Sequence, residues 1–328
     1  MNLNLNSIFG DSIFIHLMLM TVLSFVICLF ISPPIIGRLR KMNFGQVERE
    51  DGPKSHLSKN GTPTMGGIIF LITSLALAAF LIPNSNDKWA LIFLTLSFGG
   101  IGFADDYIKI AMKRNLGLRA RQKIILQFII SFAFAYFMYL NHGGIIFIPF
   151  VKKTIDMGIY IIPFTVFVIV GTVNSVNLTD GLDGLASGVT FIVTAFFTLA
   201  GLITGNMLVM LFGGSITGSV LGFLRYNSYP AEIFMGDTGS LGLGGAVAGM
   251  AVILGLPLAL PIVGGVYVIE ALSVILQVLS FKLTGNRIFR MSPLHHHFEM
   301  LGWPETKVVN MFVGLTLILA IVGFISIY

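Results

Sequence analysis

Four short stretches of this chain carry side chains that could do chemistry. They are Ala104-Asp105-Asp106-Tyr107, the run Asn174 to Gly184 (N-S-V-N-L-T-D-G-L-D-G), Met235-Gly236-Asp237-Thr238-Gly239-Ser240, and His295-His296-His297-Phe298-Glu299. The Asn174–Gly184 run stands where an apolar run ends, and the other three read as loops with the same crowding of polar groups, in a protein that is only 11% charged. If Asp105 and Asp106 lie on a continuing helix, Lys109 falls three and four residues later and Lys113 four beyond that, so acids and lysines share one face. Such a face suits a metal ion or a proton acceptor beside phosphate-binding lysines; solvated charges are the plainer alternative.

The Asn174–Gly184 run holds more polar groups than one helix cap needs. Thr179, Asp180 or Asp183 could cap the next helix, which leaves Asn174, Asn177 and a second aspartate for a ligand-binding loop. Glycines around Asp237 would bare the N–H groups of a helix N-terminus to phosphate, with the aspartate holding an accompanying cation. A simple N-cap by Asp237 or Thr238 is the competing reading. Phe234, just before, is either interfacial packing or a platform for a planar base. Consecutive histidines fit a zinc site poorly, since zinc ligands on a helix fall at i and i+4; histidines in a loop contacting phosphate fit better. The segment Lys54 to Gly67, with Lys59 and Thr64, reads first as a basic loop serving topology. Glu270 lies deep in an apolar run, with Ser273 and Gln277 on the same face. It must face other helices, as a structural hydrogen-bonding group or as part of an ion pathway.

The elements that must hold these groups are membrane helices. The 328 residues are 55% hydrophobic, and apolar runs of about 17 to 25 residues recur from end to end, each able to cross about 30 Å of hydrocarbon. The runs lack the period-two alternation of a barrel, so the expected fold class is all-α and polytopic. Ten spans are expected, near 13–34, 64–83, 89–104, 124–140, 159–175, 183–204, 207–225, 239–256, 258–281 and 307–327. The whole of 1–328 is expected to be one integral-membrane domain. The lone cysteine, Cys28, sits in the first run and excludes a disulfide framework or thiolate cluster. The net charge of +5 comes without basic arms, so nucleic acid is not an expected partner.

Loop charge sets the orientation. One set of loops holds 17 of the 20 lysines and arginines, and the other holds only Lys88, Lys152 and Lys153. The first set is therefore expected in the cytoplasm and both termini in the periplasm. All four polar stretches then fall on the cytoplasmic side. The connection at about 141–158 reads as a small outer hairpin.

In this order, A-D-D-Y at 104–107, N-x-x-N-L-T-D-G-L-D-G at 174–184, F-M-G-D-T-G-S-L at 234–241 and S-P-L-H-H-H-F-E at 292–299 resemble the motifs of the polyprenyl-phosphate N-acetylhexosamine-1-phosphate transferases. The triple histidine followed by Phe-Glu is similar to the phospho-N-acetylmuramoyl-pentapeptide branch. The resemblance implies a homodimer in the bacterial inner membrane, a cytoplasmic active site and Mg2+. It also implies a reaction, in which phospho-MurNAc-pentapeptide passes from UDP to undecaprenyl phosphate, giving lipid I and UMP in peptidoglycan synthesis. By resemblance Asp237 is the magnesium ligand and, with Asp105 and Asp106, catalytic. Lys59, Thr64, Lys109, Lys113, Lys123, Asn174, Asn177, Asp180, Asp183, Asn227, Phe234, Ser240, His295, His296 and His297 would bind substrate. Direct attack by the lipid phosphate and a covalent aspartyl intermediate both remain open. A transferase for another UDP-hexosamine, an ion-coupled transporter using Glu270 and a noncatalytic lipid-binding scaffold are the competing functions.

Overall fold

A computed structural model describes residues 11–42, 61–112 and 117–328. It is helical almost throughout: α1 (Asp11–Lys41), α2 (Gly67–Leu81), α3 (Asn86–Ala111), α4 (Ala120–His142), α5 (Ile161–Thr179), α6 (Leu185–Thr204), α7 (Met207–Asn227), α8 (Gly236–Ile253), α9 (Leu260–Val263), α10 (Gly265–Thr284), α11 (Leu294–Met300) and α12 (Glu305–Ile327). Among the described residues, eight helices are long and apolar enough to cross a membrane. The chain is thus a multi-pass, all-α membrane protein. The stretches expected to span at 64–83 and 239–256 form a shorter apolar helix, α2, and the glycine-rich α8.

Two boundaries differ from expectation in ways that matter. The third apolar run was expected to end near 104, but α3 continues to Ala111 and carries Asp105, Asp106 and Lys109 in its last turns. Likewise α5 runs to Thr179, so Asn174 and Asn177 project from a helix and only Asp180 onward is loop. In both cases the polar residues bond to neighbouring helices, and that packing outweighs the loss of apolar pattern.

Helix α8 is the axis of the assembly, buried without interruption from Thr238 to Ala251. It packs against α2, α3, α5 and α6, while α7 joins α1 to α6. With lipid as apolar as leucine, helices in a membrane gain by close approach, and two glycines facing α8 permit it. A methyl group at Gly102 would run into the Asp237 carbonyl, and one at Gly67 into the Gly239 backbone.

The hairpin expected in the 141–158 connection is present as β1 (Ile145–Ile148) and β2 (Lys153–Asp156), antiparallel with Ile145 opposite Asp156. Phe147 N–H donates to Gly255 O at 2.8 Å and Phe150 N–H to Ser326 O at 2.7 Å, pinning it against the ends of α8 and α12. At the first turn of α3, Lys88 is buried and donates to Ala79 O (2.8 Å) and Ile82 O (3.0 Å), capping the C-terminal end of α2. Replacing Lys88 with Met leaves those carbonyls unpaired, and we expect a loss of about 1–3 kcal/mol, read as a lower melting temperature in detergent.

Candidate active site

At the opposite end of the bundle the C-terminal turns of α3 and α5 meet the N-terminal turns of α4 and α8. Asp237 lies in the first turn of α8, and three side chains converge on its carboxylate. Lys123 Nζ is 2.5 Å and Lys109 Nζ 3.2 Å from Oδ2, while Asn177 Nδ2 donates to Oδ1 at 2.9 Å. Lys109 also reaches Asp105 Oδ2 at 2.6 Å, and Lys123 lies 3.6 Å from the same oxygen. Asn177 donates a second bond to Ser240 Oγ at 2.9 Å.

Asp106 has a different job. It accepts from Thr238 N–H (2.9 Å), Thr238 Oγ1–H (2.7 Å) and Asp237 N–H (3.2 Å). A carboxylate from α3 therefore caps α8, where free N–H groups and the helix dipole favour negative charge. Neither Asp237 nor Thr238 acts as the N-cap, since Met235 holds that position without a side-chain bond. Asp105, its neighbour, accepts from Leu118 N–H at 2.9 Å. Thr238→Val removes one of three donors to Asp106, and we expect about 1.5–3 kcal/mol of stability lost, the scale of a hydrogen bond to a charged group, measurable by thermal unfolding.

Asp105, Asp106 and Asp237 each offer one oxygen within 4.8 Å of the others. Three hard carboxylate oxygens suit Mg2+, and the two ammoniums crowding them supply positive charge where a divalent cation and its phosphate would sit. The donor set fits the metal expected from the sequence.

The segment 63–67 is zipped to the start of α8: Phe234 N–H donates to Pro63 O, Gly66 N–H to Phe234 O and Gly67 N–H to Met235 O, all at 2.8–2.9 Å. This places Thr64, buried, beside Gly236, and leaves Phe234 half-buried. Lys59 and Lys113 lie outside the described residues. Asn174 pairs with Gln127, donating to its Oε1 at 2.6 Å. Asn227 is buried in the framework, accepting from Ser187 Oγ–H and donating to Ile233 O, away from the carboxylates.

The loop from Asp180 to Gly184 is tied down on both sides, with Asp183 N–H donating to Glu305 Oε1 (2.7 Å) and Asp183 Oδ2 accepting from Ala231 N–H (2.9 Å). None of its acids caps α6, whose N-cap is Gly184. Burial first, then the charges of Asp237, Asp106 and Asp183, push the Asp180 carboxyl up to about 8, which favours its neutral, protonated form until positive charge is brought beside it.

The histidines, expected in a loop, lie on the short helix α11, where the rings of His295 and His296 pack edge to face with centroids 4.2 Å apart while each of the three meets a different partner. His295 is buried against Glu270, His296 lies 2.8 Å from Glu299 Oε2, and His297 Nδ1 accepts from Arg290 N–H at 3.1 Å. Sequence reasoning did not single out Gln127 or Glu305, or Thr238 as a partner of Asp106. A glutamine inside the apolar run 124–140 was a readable signal; nothing local marked Glu305.

Comparison with known proteins identifies the family. The model of Glycosyl transferase family 4 matches residues 88–255, half of the chain, and phospho-N-acetylmuramoyl-pentapeptide-transferase signature 1 matches residues 59–71. A phospho-N-acetylmuramoyl-pentapeptide-transferase of Thermoanaerobacter sp. (strain X514) is 56% identical over 311 residues, 94% of this chain and 98% of the relative. Those of Caldanaerobacter subterraneus subsp. tengcongensis and Acetivibrio thermocellus are 54% and 50% identical, over 93% of this chain and 97% and 93% of theirs. With identity at this level along nearly its whole length, the chain belongs to the phospho-N-acetylmuramoyl-pentapeptide-transferase family.

Proposed function

We infer that this protein transfers phospho-MurNAc-pentapeptide from UDP to undecaprenyl phosphate, giving lipid I and UMP. The observation that carries the reading is the meeting of Asp237 with Lys109, Lys123 and Asn177, beside Asp105 and Asp106. In the exchange, an oxygen of the lipid phosphate bonds to the sugar-bearing phosphorus while that phosphorus loses its bond to the UMP oxygen. Phosphoryl transfer of this kind asks the protein mainly for positioning and charge neutralisation, and direct attack by the lipid phosphate needs no covalent residue.

Asp237, with support from Asp105, would hold Mg2+, which supplies charge neutralisation across the diphosphate. Lys109 and Lys123 offer ammoniums to phosphate oxygens; both now lie on Asp237 and can exchange carboxylate for phosphate. Asp106 fixes the start of α8 rather than touching substrate, and Asn177 orients Asp237. We assign the loop Asp180–Gly184, the imidazoles of α11 and Phe234 to the nucleotide-linked donor, and α3 and α4 to the lipid phosphate.

The Lys and Arg distribution supports a site on the cytoplasmic face of the bacterial inner membrane, the many contacts of α8 support a single domain, and the family resemblance supports a homodimer. Purified protein offered UDP-MurNAc-pentapeptide and undecaprenyl phosphate should release UMP without any ion gradient. Chelation should reduce the rate to background and Mg2+ should restore it. Turnover only with an unmodified UDP-hexosamine, or none at all, would reject the assignment.

A further inference from the structure

Glu270 has no part in the chemistry above, yet it is fully buried in the second turn of α10, where an unpaired carboxylate would be expensive. Both of its oxygens are engaged by one residue. His295 N–H lies 3.2 Å from Oε1, and His295 Nδ1 lies 3.1 Å from Oε2. Two contacts to one carboxylate fix both the start of α11 and the plane of the ring. They also leave Nε2 as the free ring nitrogen.

That nitrogen is buried without a hydrogen-bond partner, a condition native proteins seldom leave unexplained. It faces the donor loop so closely that a methyl group at Gly181 would collide with it. Gly181 does not have the positive φ that demands glycine, so the missing side chain serves this approach. Around it stand Asp180 and Asp183 of the same loop.

We propose that Glu270 is a positioning residue: it clamps His295 in the tautomer with the proton on Nδ1, so that Nε2 abuts Gly181, sets the height of the Asp180–Gly184 loop, and is held ready for a polar group of the nucleotide-linked donor. A carboxylate can only accept, so Nδ1 must carry the hydrogen, and a carboxylate behind an imidazole orients the ring in other sites by the same means. This rests on the assignment of that loop to the donor.

Two variants approach the contact from opposite sides. Glu270→Gln keeps the shape but turns an amide N–H2 toward a ring N–H, which favours the other tautomer. Gly181→Ala pushes the ring away while leaving Glu270 intact. In detergent-solubilised full-length protein, each should raise KM for UDP-MurNAc-pentapeptide about tenfold, the scale of one lost hydrogen bond to a charged group. KM for undecaprenyl phosphate and kcat should stay within about twofold, a split that a general loss of structure would not produce.

Nitrogen-15 spectra of histidine-labelled protein, with the His295 signals identified by their loss in His295→Gln, should show Nδ1 protonated in the parent and Nε2 in Glu270→Gln. Equal rises in both KM values, an unchanged donor KM, or Nε2 protonated in the parent would overturn the proposal. Should Glu270→Gln fail to fold, Gly181→Ala decides alone. The spectrum of the free parent protein needs no turnover, so a failure of the assigned reaction is distinguishable from a failure of this clamp.

Discussion

Asp237→Asn should lower UMP release by about a thousandfold or more, the range seen when a charge-stabilising group is removed from a preorganised site. The substitution is nearly isosteric, but it deletes the charge that two lysines converge upon, with Lys123 at 2.5 Å and Lys109 at 3.2 Å. If the new amide presents its N–H2 toward these ammoniums, donors face donors; if it turns, it meets the Asn177 amide at Oδ1 instead. The fold should persist, because the clamp on Asp106 uses the backbone N–H of residue 237 and the whole of Thr238. Rates with both substrates, compared at matched melting temperature and elution volume, check the expectation. Activity within tenfold of the parent would remove Asp237 from the metal site.

Gly102→Ala should also abolish turnover, by a different route. Its methyl group would meet the carbonyl of Asp237 and the N–H of Thr238, both backbone atoms, so no rotamer change can relieve the collision. α3 must then move away from α8, and the bonds that join Asp106 to Thr238 lengthen together. Overpacking a tight helix contact costs about 1–3 kcal/mol, and we expect both a lower melting temperature and a loss of activity of at least about a hundredfold, since small misplacements in positioning catalysis have effects of that size. Gly100, on the same helix with open space around it, is the control: Gly100→Ala should leave both measurements close to the parent.

These two residues show what could be read from the chain and what could not. The helices follow from long apolar runs, and the aspartates stood out because charge is scarce and clustered at the ends of those runs. Asp105 and Lys109 were paired by helical spacing alone, and the structure joins them at 2.6 Å. Gly102 carried no such mark. Its constraint is a meeting with a residue 135 positions later, and local pattern holds no information about that. Asp106 is similar: as a neighbour of Asp105 it looked like a second acid for the same task, and nothing local showed that it also accepts from the start of α8. The histidines were read as a loop because three in succession do not fit the i, i+4 spacing of ligands on a helix; burial of His295 on Glu270 helps to hold the helix they form.

The cap that Asp106 places on α8 joins donors and acceptor 131 and 132 residues apart. During synthesis, α3 enters the bilayer long before α8 exists, so Asp106 must wait for its donors while four more long helices are made. The growing chain therefore harbours a costly acidic end until Thr238 arrives, and a product truncated before Gly236 would keep that burden permanently, a natural mark by which a cell's quality control could recognise an unfinished molecule.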